Sequence, residues 1–197
     1  MVTMAEMKHA AMLMKIFTDK LKFVTTNINN IKIYVVLDFD DEYASSISYI
    51  YDNRYILTHN PEIYLYNPTI NAKSKKKRFE QISTYCCYLT LHELFHVTKE
   101  SDYYMYEHDS EYHDFVEYQV DANAIRFIDN YGEWISKRTG YPIIPDFFKG
   151  FRTGKNTMIA FEKASFIHGH VVWNLNELNG CSFKCKLDCK SCVFKRV

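Results

Sequence analysis

Residues 85 to 97 read YCCYLTLHELFHV and make a demand that few folds can meet. Apart from Thr90, the two histidines and Glu93, the run is apolar. A helix built from it is apolar on nearly every side and therefore belongs in an interior. A buried helix cannot carry His92, Glu93 and His96 without partners, because each loses its water on burial. The spacing offers a solution. On an α-helix positions i and i+4 stack on one face, so His92 and His96 can both reach one metal ion. Glu93 lies beside the first histidine, where a carboxylate can take a proton from water activated by that metal.

Two further parts of such a site stand in EYHDFVEYQVDANAIRFIDNYG, residues 111 to 132. Val116, Val120, Ile125, Phe127 and Ile128 recur at roughly helical spacing, and Gly132 reads as the C-terminal stop. Glu117 and Asp121 are four apart and share a face. Glu117 suits the third ligand of a His₂Glu set, which leaves one position open. Asp121 suits the acceptor for the free ring N–H of a liganding histidine, fixing its tautomer.

HELFH followed about twenty residues later by Glu117, Asp121 and Ala124 is similar to the gluzincin metallopeptidases. Within them the chain most resembles the ImmA/IrrE group, with Val120 where that group has Ala and Phe95 where it has Gly. The resemblance covers roughly residues 30 to 130. It implies an α+β, zincin-like fold: a small N-terminal sheet with a hairpin, packed on the HExxH helix and on a second, Glu-bearing helix. It also implies hydrolysis of a peptide bond in a specific protein substrate. His92, His96 and Glu117 would hold Zn²⁺, and Glu93 would serve as general base. In gluzincins a later His or Tyr hydrogen-bonds the tetrahedral intermediate, and His168 and His170 are the candidates here. A second assignment stays open. YHDF, residues 112 to 115, resembles an element of SprT and Wss1-like proteases, whose third ligand is a histidine, so His113 competes with Glu117 or stands behind the ligands as their support or as a substrate contact.

The remaining chain fits one domain over residues 1 to 180, followed by a distinct tail. Residues 1 to 24 repeat Met4, Met7, Ala11, Met14, Phe17 and Leu21 at helical spacing. IKIYVVLDF, residues 31 to 39, is a strand, and SISYIY with RYILTH flank Asp52-Asn53, a two-residue hairpin turn. In zincins an edge strand of such a sheet pairs with extended substrate, and either arm of the hairpin is a candidate. Asp38, Asp40, Asp41 and Glu42 form an acidic loop. Lys73, Lys75, Lys76, Lys77 and Arg78 form a basic cluster, expected to be a solvated loop or a contact for nucleic acid or an acidic substrate. A further helix is predicted over residues 156 to 167.

In the tail, residues 181 to 197, Cys181, Cys185, Cys189 and Cys192 fall within twelve residues among lysines. Four thiolates so close can surround a second zinc, hold an iron–sulfur cluster or pair as two disulfides. Zinc is expected, since no signal peptide is legible and the chain is expected to be cytoplasmic. The abundance of Lys, Asn, Ile and Tyr points to a low-GC source such as a virus or phage. Formal net charge is zero, so no global field steers the chain to nucleic acid or membrane. The competing function is a nucleic-acid or protein-binding module on the same scaffold, acting through the tail and the basic loop. A SprT-like protease of DNA–protein crosslinks would combine both.

Overall fold

A capping box opens the first helix. Thr3 Oγ1 accepts from the Glu6 amide at 3.2 Å while Glu6 Oε2 accepts from the Thr3 amide at 2.8 Å, closing two otherwise unpaired donors. The structure is a computed structural model that describes residues 2–25, 30–67, 70–98 and 108–148. Its architecture over those residues is α+β. Helix α1 (Met4–Thr25) leads to strands β1 (Lys32–Leu37), β2 (Ser45–Tyr51) and β3 (Arg54–His59). A single-turn helix α2 (Pro61–Tyr64) and two long helices, α3 (Lys75–Thr98) and α4 (Ser110–Thr139), follow.

The hairpin turn forms where expected. Asp52 and Asn53 take φ values of 47° and 58°, the left-handed pair that matches the twist of flanking strands. The sheet order is β1-β3-β2, with β1 parallel and β2 antiparallel to β3. Of the two hairpin arms, β3 is therefore central, and only β2 offers an open edge. To reach its place, the link from β1 to β2 passes the end of β3, where side chains pin it. Asn60 Nδ2 donates to the carbonyls of Phe39 and Asp41, and Asp41 Oδ2 accepts from Thr58 and Ser46. Asn60 also caps α2, with Pro61 in the first turn.

Helix α3 is the spine. It runs parallel to α1: Glu6 meets Arg78, the Cys86 thiol reaches the Ala10 carbonyl, and Thr90 Oγ1 touches Met14 Sδ at 3.3 Å. Ala10, Leu13, Met14, Phe17 and Leu21 are wholly buried there. Met4, expected in that stripe, lies 60% exposed, because at 3.6 residues per turn it falls about a third of a turn round from the face of Ala10, Met14, Phe17 and Leu21. The sheet joins the spine through Tyr64, whose ring stacks between His59 and Tyr85.

Two sequence expectations are corrected here. Of the basic cluster Lys73 lies exposed ahead of the helix, as expected, but Lys75 through Arg78 are not loop and form the first turn of α3. Lys75, Lys76 and Lys77 are exposed, whereas Arg78 turns inward and bonds Glu6 Oε1 at 2.7 Å and the Ile70 carbonyl at 2.8 Å. Gly132 is not a stop either, since α4 continues to Thr139. A Cβ on Gly132 would sit 3.3 Å from Ile143 Cγ2 and 3.4 Å from Pro145 Cγ, so the glycine admits the returning chain. The stop is Gly140, at φ 79°, whose amide bonds the Ser136 carbonyl. Beyond it, Ile144 N donates to Thr84 Oγ1 and Phe148 is buried against Tyr88. No helix among the described residues is long and apolar enough to cross a membrane. The predicted helix at 156–167, His168, His170, the boundary at residue 180 and the four tail cysteines lie outside the described residues.

Candidate metal centre

The site forms because α3 and α4 pack antiparallel with matched four-residue steps. Tyr88, His92 and His96 rise along one face of α3, and Asp121 and Glu117 descend along the facing side of α4. Around this polar ladder the same helices are sealed by Leu91, Leu94, Phe95, Val120 and Ala124, each at most 2% exposed. The apolar periodicity of both helices thus holds the polar rungs in register.

His92, His96 and Glu117 form a group that can hold a metal ion, with ligand atoms mutually within 4.8 Å. The two Nε2 atoms lie 3.1 Å apart. The Glu117 carboxylate spans them, with Oε2 at 3.2 Å from His92 Nε2 and Oε1 at 3.3 Å from His96 Nε2. Ligands about 2.0–2.1 Å from a tetrahedral ion are separated by roughly 3.3 Å, so these donors stand close to where such an ion needs them. Two neutral imidazoles and one carboxylate also fit zinc chemically, and three protein donors leave a coordination position for a reactant. His113 is on α4, with its ring 3.6 Å from Asp114, and is not part of the group.

Behind the group, Asp121 Oδ1 lies 2.7 Å from His92 Nδ1. An Nδ1–H donated there leaves the Nε2 lone pair aimed at the other donors. The electrostatics favour positive charge at this place. Burial opposes a proton on His92, but bonds to Asp121 and Glu117, with the field of Glu93, outweigh it and hold its pKa well above the ordinary range. Burial would likewise raise Glu117, yet bonds from His92 and His96 win and hold its carboxyl far below the usual carboxylate range. The same carboxylates that favour protons here favour a cation in their place.

Glu93, one residue on from His92, faces the sheet. It is 3% exposed, and its hydrogen-bond partner among the described residues is Ser45, whose hydroxyl donates to Oε1 at 2.7 Å. Ser45 is the first residue of β2, so one edge of the three-stranded sheet begins beside Glu93. Ser45 and Tyr88 belong to the site's hydrogen bonding and escape sequence reading. Tyr88 carried a signal, being one helical turn before His92. Ser45 carried none, since its role depends on which hairpin arm lies at the edge.

No family model, characterised protein or solved structure matches the chain. The functional reading therefore stands on the geometry of the site.

Proposed function

We propose that the chain is a zincin-like, zinc-dependent metallopeptidase that hydrolyses a peptide bond in a protein substrate. The observation that carries this reading is the three-donor face of His92, His96 and Glu117 with the buried carboxylate of Glu93 next to it. A zinc ion held by that set would supply Lewis acidity, making water a nucleophile at neutral pH and polarising a carbonyl. Glu93 takes the proton of the attacking water and returns it to the leaving amine. Ser45 ties down Oε1 of that carboxylate and so leaves Oε2 for the proton. Asp121 keeps His92 in the tautomer that presents Nε2.

Strand β2 is the natural place for substrate. Its outer edge has no strand neighbour among the described residues, and its first residue touches Glu93. An extended peptide added along that edge runs its backbone past the general base. Tyr49 and Tyr51, 63% and 50% exposed, flank the far end and offer apolar contact to its side chains.

Glu93→Gln tests the reading. The zinc-loaded chain would be incubated with a proteome-derived peptide library and new termini counted by mass spectrometry. The variant is expected to retain zinc and lose cleavage by about 10²–10⁴-fold, the range for a general base. Cleavage at the unmodified rate would remove Glu93 from the chemistry.

A further inference from the structure

The ladder between α3 and α4 has a rung that the ligand set does not use. Tyr88 is buried at 7% exposure, and its hydroxyl donates to Asp121 Oδ1 at 2.5 Å, the same oxygen that faces His92 Nδ1. We propose that Tyr88 is a positioning residue for the metal centre, holding the Asp121 carboxylate so that it orients His92 and thereby sets metal affinity without touching the ion. The proposal deepens the metal-binding reading of His92, His96 and Glu117 and rests on it.

A carboxylate on a helix surface can rotate about its last bonds, and an imidazole bonded to it follows. Asp121 is partly exposed, with 23% of its side chain accessible, so water competes for its oxygens. Tyr88 removes that freedom from the buried side. Its own ring is fixed: Phe148 lies 4.6 Å away between ring centroids, Tyr85 packs edge-on at 5.6 Å, and the His92 ring stands at 6.2 Å. Tyr85 is anchored in turn by Asn67, whose amide donates to its hydroxyl at 2.9 Å. Rigid packing therefore runs from the loop after α2 and the strap after α4 to one carboxylate oxygen. Burial and the charge of Asp121 keep the Tyr88 phenol protonated, which makes it the donor in this bond.

Partners of liganding histidines contribute about 10–100-fold to metal affinity, and a residue one bond farther out belongs at the lower end of that range. The test uses the full chain under reducing conditions and zinc itself, titrated against a competing chelator. Zinc that His96→Ala still binds is subtracted as background. Tyr88→Phe, which keeps the ring and its packing, is expected to weaken binding about tenfold. In an Asp121→Ala background, the same substitution is expected to change affinity less than twofold, because its route is gone. Cobalt in place of zinc is expected to show an altered visible spectrum in Tyr88→Phe, which a change in packing elsewhere would not produce. Unchanged or tighter binding in Tyr88→Phe overturns the proposal, and so does an equal tenfold loss with Asp121 absent. If the unmodified chain binds no more zinc than His96→Ala, the metal reading itself fails and takes the proposal with it.

Discussion

Helix α3 meets α1 and α4 with opposite chemistries. Towards α1 it presents Cys86 and Thr90 to Ala10 and Met14, and the charged pair described between these helices, Arg78 with Glu6, lies at the open end of the seam and is only partly buried. Even Thr90 is satisfied locally, donating within reach of both the Cys86 carbonyl and Met14 Sδ. Towards α4 it presents Tyr88, His92 and His96 to two carboxylates. The dry seam owes its strength to area removed from water and tolerates no cavity. The polar seam brings charges together at a cost that only bonding or a metal offsets. One helix can carry both because the first seam supplies the rigidity that the second needs.

Substitutions should separate the two. Met14→Ala empties a wholly buried site on the dry seam, and the expected loss of folding stability is about 2–5 kcal/mol in denaturant titration. Zinc affinity of the folded fraction should stay within about twofold, since Met14 meets α3 at Thr90, on the seam with α1 rather than on the face that carries the ligands. A large fall in affinity would mean that the seams are not separable.

A smaller and reversible effect comes from the sheet. His59, 1% exposed, has its pKa lowered by burial from 6.5 to about 4. The folded state keeps it neutral, so stability is full above pH 6.5 and is lost as pH falls through 4, by about 3 kcal/mol in all. Melting curves across that window should show a shallower pH slope in His59→Phe than in the unmodified chain. Equal slopes would assign acid sensitivity to the polar seam instead.

How legible these seams were in the sequence follows from the range of the forces involved. The polar seam was written in local spacing. His92 with His96 and Glu117 with Asp121 each sit one turn apart, and a helix converts that spacing into a shared face without help from the rest of the chain. The apolar character of 85 to 97 likewise announced burial. What escaped depended on distant pairing. That β1 pairs with β3 rather than β2 is a choice between strands, and it alone makes β2 the edge and brings Ser45 to Glu93. Gly132 read as a stop because glycine ends helices, but a chain returning at Ile143 and Pro145 gave it a different task. Lys75 to Arg78 read as loop because a run of like charges is usually a solvated segment, and cations suit a helix start poorly. Packing and the Arg78–Glu6 bond outweigh that local preference.

The most direct measurement is zinc per chain, on the 197-residue chain purified under reducing conditions, beside His96→Ala prepared identically. Cysteines of the tail contribute equally to both preparations, so the difference reports the site between α3 and α4. The unmodified chain is expected to hold one more zinc than the variant, with both folded. Equal metal content in two folded preparations would contradict the central claim that this polar seam is a metal centre.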